Sequence, residues 1–153
     1  FGAFRSRHRH FFDEDGPVYR ELAKILAVRR DKIALRRGRQ YLCRISGDGQ
    51  HFGVPHLIGG QMRSIVPWTR LFDDQEMLLA VNTDPEASRG AWVAVKRGIL
   101  KFSDRLRCIY SSDEGQVGEV LPIEARATPD GVAQVVFLRV PAAGVVIFQG
   151  EAG

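Results

Sequence analysis

Residues 132–140 read Val132-Ala133-Gln134-Val135-Val136-Phe137-Leu138-Arg139-Val140, and this run decides the fold. Val136, Leu138 and Val140 alternate with Val135 and Phe137, so both sides of an extended chain are apolar, the pattern of a strand in a packed sheet. Similar short runs rich in Val, Ile, Phe and other aromatics occupy Tyr41–Ile45, Arg63–Phe72, Glu76–Asn82, Ala91–Val95, Leu106–Ser111, Val120–Arg126 and Gly144–Gln149. Turn clusters separate them: Asp73-Asp74, Asn82-Thr83-Asp84-Pro85, Ser112-Asp113-Glu114-Gly115 and Pro129-Asp130-Gly131. Seven to eight strands with no helix between them predict an antiparallel β-sandwich, a mainly β fold. The glycine-rich segment 46–61 is the one long irregular connection.

Ahead of the strands the period changes. Val18, Leu22, Ile25, Leu26 and Ile33 follow a helical spacing, with Arg20, Glu21, Lys24 and Asp31 on the opposite side. Asp13-Glu14-Asp15-Gly16-Pro17 supplies carboxylates and a first-turn proline at the start, and Gly38 stands at the end. One long amphipathic helix from Val18 to about Leu35 is therefore expected. Residues 1–38 and 39–153 divide into a loop-plus-helix unit and a sandwich domain.

Bulk properties narrow the function. At 153 residues and 44% hydrophobic, the chain has the makings of an ordinary globular core, and no apolar stretch is long enough for a membrane span. Cys43 and Cys108 are too few for a disulfide framework, so buried, reduced thiols and a cytoplasmic location are expected. Charge is uneven: residues 1–44 hold 12 Lys+Arg against 5 Asp+Glu, and the remainder 10 against 13. An arginine-rich arm on a nucleic-acid-binding β-domain is the alternative this asymmetry raises. Many of those cations share one helix with acidic neighbours, however, and the strand region is net negative.

Two stretches carry a resemblance. Arg20–Arg30 followed by Ala34-Leu35-Arg36-Arg37-Gly38-Arg39 resembles the last barrel helix and exit of α-amylase superfamily enzymes. Val66-Pro67-Trp68-Thr69-Arg70 and Met77-Leu78-Leu79-Ala80-Val81-Asn82-Thr83 resemble paired strands of that family's C-terminal domain, the second of which typically ends in asparagine. Leu138–Phe148 resembles its final strand. The resemblance implies a non-catalytic, accessory C-terminal domain of an enzyme acting on α-glucosidic carbohydrates, with the parent's catalytic barrel as partner and an α-glucan oligosaccharide as candidate ligand. The opening Phe1 in place of Met suits a piece of a longer polypeptide. No stretch resembles the regions bearing the superfamily's catalytic aspartates and glutamate.

Candidate sites follow from both readings. No catalytic residue, metal site or cofactor is expected, since the acidic clusters all sit at predicted turns or the helix start. The resemblance makes residues 1–15 the last loop at the active-site end of a barrel, which would place Arg5, Arg7, His8 and His10 on the rim of the parent's sugar cleft. His8 and His10 lack a third ligand at convincing spacing. Trp68 and Trp92 are candidates for stacking on sugars, although their alternating neighbours favour core packing. The apolar helix stripe needs a partner; without a barrel it would fold onto the sandwich or form a homodimer.

Overall fold

A computed structural model describes residues 15–55, 60–95 and 104–151. Helices α1 (Pro17–Asp31) and α2 (Ile33–Arg37) precede ten strands: β1 (Arg39–Leu42), β2 (Arg44–Ser46), β3 (Ile65–Phe72), β4 (Gln75–Asn82), β5 (Arg89–Val95), β6 (Arg105–Ser111), β7 (Val120–Pro122), β8 (Glu124–Thr128), β9 (Gly131–Val140) and β10 (Val145–Glu151). One sheet has the order β1-β3-β4-β10-β6-β7 and the other β2-β5-β9-β8, and every pairing is antiparallel. The expected sandwich is present.

Two expected strands are each divided. Tyr41–Ile45 belongs to β1 in the larger sheet and β2 in the smaller, and Val120–Arg126 likewise splits into β7 and β8. Cys43 and Ile123 make the crossings, and both side chains pack into the core between the sheets. Each crossing residue donates its amide to the larger sheet's end, Cys43 to Pro67 O and Ile123 to Asp104 O. Strands that switch sheets in this way form the corners of a sandwich.

The core between the sheets contains Ile65, Leu78, Val93, Leu106, Val136, Leu138, Val140, Val146 and Phe148, all nearly or fully buried. Each such side chain stabilises by roughly 1.5–3 kcal/mol relative to exposure. Burial pushes the thiols of Cys43 and Cys108 up to about 11, so both remain protonated near neutral pH. A second cluster lies on the outer face of the six-stranded sheet, where Met77, Leu79, Tyr110 and Ile147 meet Ala34 and Leu35, with Ile25, Val28 and Trp68 partly buried against them.

The helix differs from expectation in two respects. Lys32 is extended (φ −103°, ψ 108°) and interrupts it, so that α2 turns and buries Ala34 and Leu35 on the sheet. No helix breaker marks this point, and tertiary burial overrides the local propensity. The apolar stripe also divides. Ile25 and Val28 face the sheet, whereas Val18, Leu22 and Leu26 are 78%, 54% and 54% exposed.

Gly38 ends α2 without the left-handed conformation expected of a terminal glycine, having φ −63°. Its role is close approach. A Cβ there would overlap Ala34 O and stand 2.8 Å from Leu71 O.

Candidate functional site

The α1 face of the molecule combines an exposed stripe with a polar clasp. Lys24 Nζ donates to Glu21 Oε1 at 2.8 Å and to Glu114 Oε1 at 2.6 Å, and the Tyr110 hydroxyl donates to Glu21 Oε2 at 3.0 Å. Glu21 is held below the usual carboxylate range by Lys24 and then Tyr110, while Lys24 is raised by Glu114 and then Glu21. Burial, with Glu21 beside it, raises the Tyr110 phenol. Because Lys24, Glu21 and Glu114 are largely in water, the clasp sets the helix's position more than it stabilises it. Glu21 and Lys24, expected on the solvent side, are exposed and at the same time reach across to Tyr110 and Glu114.

Beside the clasp runs a groove of 470 Å³, lined by Ala27, Val28, Ile109, Tyr110 and Val117. Ile109 is the extra residue of a bulge: Ile147 pairs with Tyr110, whereas Phe148 pairs with Cys108. The bulge bends β6 and keeps Tyr110 toward the helix and Cys108 toward the core. Val18, Leu22 and Leu26 recur every four residues along the outer side of α1, an exposed stripe that no other described residue covers.

At the far end of the sandwich, β4 terminates in a buried polar knot. Asn82 Nδ2 donates to Ala87 O (2.8 Å), Val140 O (3.2 Å) and Pro141 O (2.9 Å), and Asn82 Oδ1 accepts from the Asp84 amide at 2.9 Å. The Asp84 carboxylate accepts from the amides of Glu86 and Ala87 and from Arg89. The Glu86 amide, then Arg89, then the Ala87 amide hold its carboxyl below the usual range. The knot ties the β4–β5 loop to the β9–β10 hairpin, which is a physical reason for an asparagine at the end of this strand.

Sequence-derived candidates fall in different places. Arg5, Arg7, His8 and His10 lie outside the described residues. Trp68 is half-buried in the cluster beneath α2. Trp92 lies on the outer face of the four-stranded sheet, with the Arg126 guanidinium 3.4 Å over its ring and Phe137 edge-on at 5.2 Å. Asp48 organises the glycine-rich loop by accepting from Ser46 Oγ and the amides of Gln50 and His51, and its second oxygen lies 2.8 Å from His51 Nδ1. These partners, His51 foremost, keep Asp48 well below the usual carboxylate range.

Asp13 and Glu14 lie outside the described residues, and the two acidic clusters within them have backbone or ion-pair roles. Asp73 and Asp74 form the β3–β4 turn, with Asp73 at φ 49°. Asp113 accepts from the Gly115 amide, and Glu114 pairs with Lys24. Among the described residues, no group of three or more His, Cys, Asp or Glu side chains could hold a metal ion. The exposed aromatic on the four-stranded sheet is Phe137, 41% exposed. Its alternation placed it opposite the core residues but did not distinguish an open face from a covered one.

No family model and no curated protein sequence matches the chain. Solved structures do. The native Nostoc punctiforme debranching enzyme aligns with 95% of this chain at 17% identity and a TM-score of 0.57, over 24% of its own length. The Geobacillus thermoleovorans α-amylase complexed with acarbose aligns with 94% at 14% identity and a TM-score of 0.56, again over 24% of its length. A trehalulose synthase mutant aligns with 88% at 13% identity and a TM-score of 0.51, over 18% of its length. The chain spans less than a quarter of these enzymes, and it has the fold of that portion of the α-amylase family enzymes, in agreement with the resemblance carried by its sequence motifs.

Proposed function

We propose that the chain is the non-catalytic, C-terminal accessory domain of an α-amylase-family enzyme acting on α-glucosidic carbohydrates, and that it docks the parent's catalytic barrel through α1. The supporting observation is the division of the helix. One side, Ile25 and Val28, is satisfied by the sandwich, while Val18, Leu22 and Leu26 form a second apolar side that is exposed among the described residues. Burying apolar surface is worth about 25 cal/mol per Å², so covering three such side chains supplies several kcal/mol toward docking. Barrel docking also explains why a helix with no fully buried residue stands on this domain. The exposed arginines at the helix ends, Arg29, Arg30, Arg36 and Arg37, complement the negative ends of α1 and α2, which accounts for them without a nucleic-acid partner.

The helix division makes a direct test. Leu22→Glu with Leu26→Glu should leave the melting of the isolated chain within about a degree, because both side chains already face water. Ile25→Glu should lower it by several degrees, since a charge would enter the helix–sheet cluster. Equal effects would place both sides in the same environment and remove the docking face. In the same preparation, maltodextrins and an activated aryl glucoside should be turned over only at background. Turnover abolished by replacing a single carboxylate would make the chain an enzyme in its own right.

A further inference from the structure

At the edge of the sandwich, next to the turn whose Glu114 clasps α1, the four-stranded sheet has a notch. β9 pairs with β8 only as far as Val135, opposite Glu124, so Val136–Val140 has β5 along one edge and no strand along the other among the described residues. A cavity of 580 Å³ occupies this edge, lined by Gly115, Gln116, Glu119, Leu121, Phe137 and Arg139. Its size is within the range of roughly 300–1,000 Å³ typical of small-ligand sites.

The lining has definite chemistry. Phe137 offers an exposed aromatic surface, steadied by the edge contact with Trp92. It is accommodated because residue 90 is glycine: a Cβ there would come within 2.9 Å of Phe137 Cζ. Arg139 and Glu119 are exposed, and one can only donate hydrogen bonds while the other, ionised, can only accept. Gln116 Nε2 donates to Arg139 O at 3.2 Å, so the backbone of Arg139 turns toward the notch. The two-residue period of a strand sends the amide and carbonyl of Phe137 the same way.

We infer that this notch binds a neutral, polyhydroxylated ligand, an α-glucan oligosaccharide, with one sugar ring on Phe137 and its hydroxyls shared between Arg139, Glu119 and the β9 edge. A pyranose presents a flat C–H surface for the aromatic ring and hydroxyls that both donate and accept, which matches a donor-only and an acceptor-only group side by side. An anionic ligand would meet Glu119, and a purely apolar one would strand two charges. An added peptide strand would have to share the Arg139 carbonyl with the Gln116 side chain standing over that edge. The hydroxyl-rich chemistry follows from the lining alone; the choice of an α-linked glucan rests on the proposed function.

Trp92 provides the readout, because Trp68 is the only other tryptophan. In a Trp68→Phe background, titration of the 153-residue chain with maltoheptaose should give a saturable change in Trp92 fluorescence. Glu119→Gln with Arg139→Gln should weaken binding about tenfold or more, as expected for losing hydrogen bonds to charged groups, without changing the melting temperature. Phe137→Ala, followed by calorimetry, should weaken it at least as much. The absence of saturation, an affinity unchanged in these variants, or binding of an unrelated extended peptide lost in the same variants would overturn the sugar site. None of Leu22, Ile25 and Leu26 lines the notch, so a negative titration would leave barrel docking standing, and a failure of the helix test would leave the titration readable.

Discussion

Replacing Asn82 by alanine is expected to lower the stability of the chain by about 3 kcal/mol, the cost of orphaning several buried polar groups at once. The Asn82 amide serves three carbonyls from two separate segments, and its oxygen holds the Asp84 amide. Pro141 O keeps the Gly144 amide, but alanine removes the Asn82 bonds to Ala87 O, Val140 O and the Asp84 amide in a place where Asn82 is 4% and Asp84 0% exposed. For a chain of this length each kcal/mol corresponds to about 2–4 °C, so melting should fall by roughly 6–12 °C. Asn82→Asp should be no milder at neutral pH, because a carboxylate cannot donate to carbonyls. The neighbouring Asp84 adds an acid dependence with a definite sign. Its carboxyl is held below the unfolded value of about 3.9, so its contribution is complete above that pH and is lost as pH falls through the lower, folded value. Asp84→Asn should flatten this acid limb. If Asn82→Ala melts with the wild type, the knot is incidental to the fold.

Gly38→Ala should be nearly as damaging, at about 3 kcal/mol, for a steric reason. The new methyl would strike the carbonyls of Ala34 and Leu71, and both belong to backbone that cannot rotate away. Overpacking typically costs about 1–3 kcal/mol and more where nothing yields. Relief requires α2 to lift from β3, loosening the contacts that hold it: the Ala34 amide donated to Gln75 Oε1 and the Arg70 guanidinium donated to Ala34 O. Trp68, packed in the same cluster, should report the movement as a red-shifted emission. Gly53→Ala is the control, since a Cβ there meets nothing within 4 Å, and should change stability by no more than about 0.5 kcal/mol. Equal melting of the two variants would contradict close docking of α2.

These two residues illustrate what could be read from the amino acids. Gly38 and Asn82 stood out as a helix stop and a strand end, and both have a physical reason for their identity, although for Gly38 that reason is proximity rather than backbone sign. The strand runs were legible because period-two alternation and turn chemistry agree along most of their length. The crossings at Cys43 and Ile123 were not, since a strand that leaves one sheet for another keeps an extended backbone and an apolar residue at the corner. Nor was the orientation of α1. Its apolar residues form one arc in projection, and only the position of β6 and the Tyr110–Glu21–Lys24–Glu114 clasp decides that Ile25 turns inward and Leu22 outward. The notch around Phe137 was hidden for a related reason: apolar residues on both sides of β9 conceal which side is open, and the end of β8 pairing at Val135 is a property of topology.

Docking of a catalytic barrel through α1 is tested most directly by expressing the complete reading frame that contains this chain and measuring α-glucan turnover with and without Leu22→Glu and Leu26→Glu. An accessory role requires the remainder of a (β/α)8 barrel ahead of Phe1, turnover of an α-glucosidic substrate, and a loss of activity or heat stability in the double variant that the isolated 153-residue chain does not share. A reading frame without such a segment, or a full-length enzyme indifferent to both charges, would contradict it.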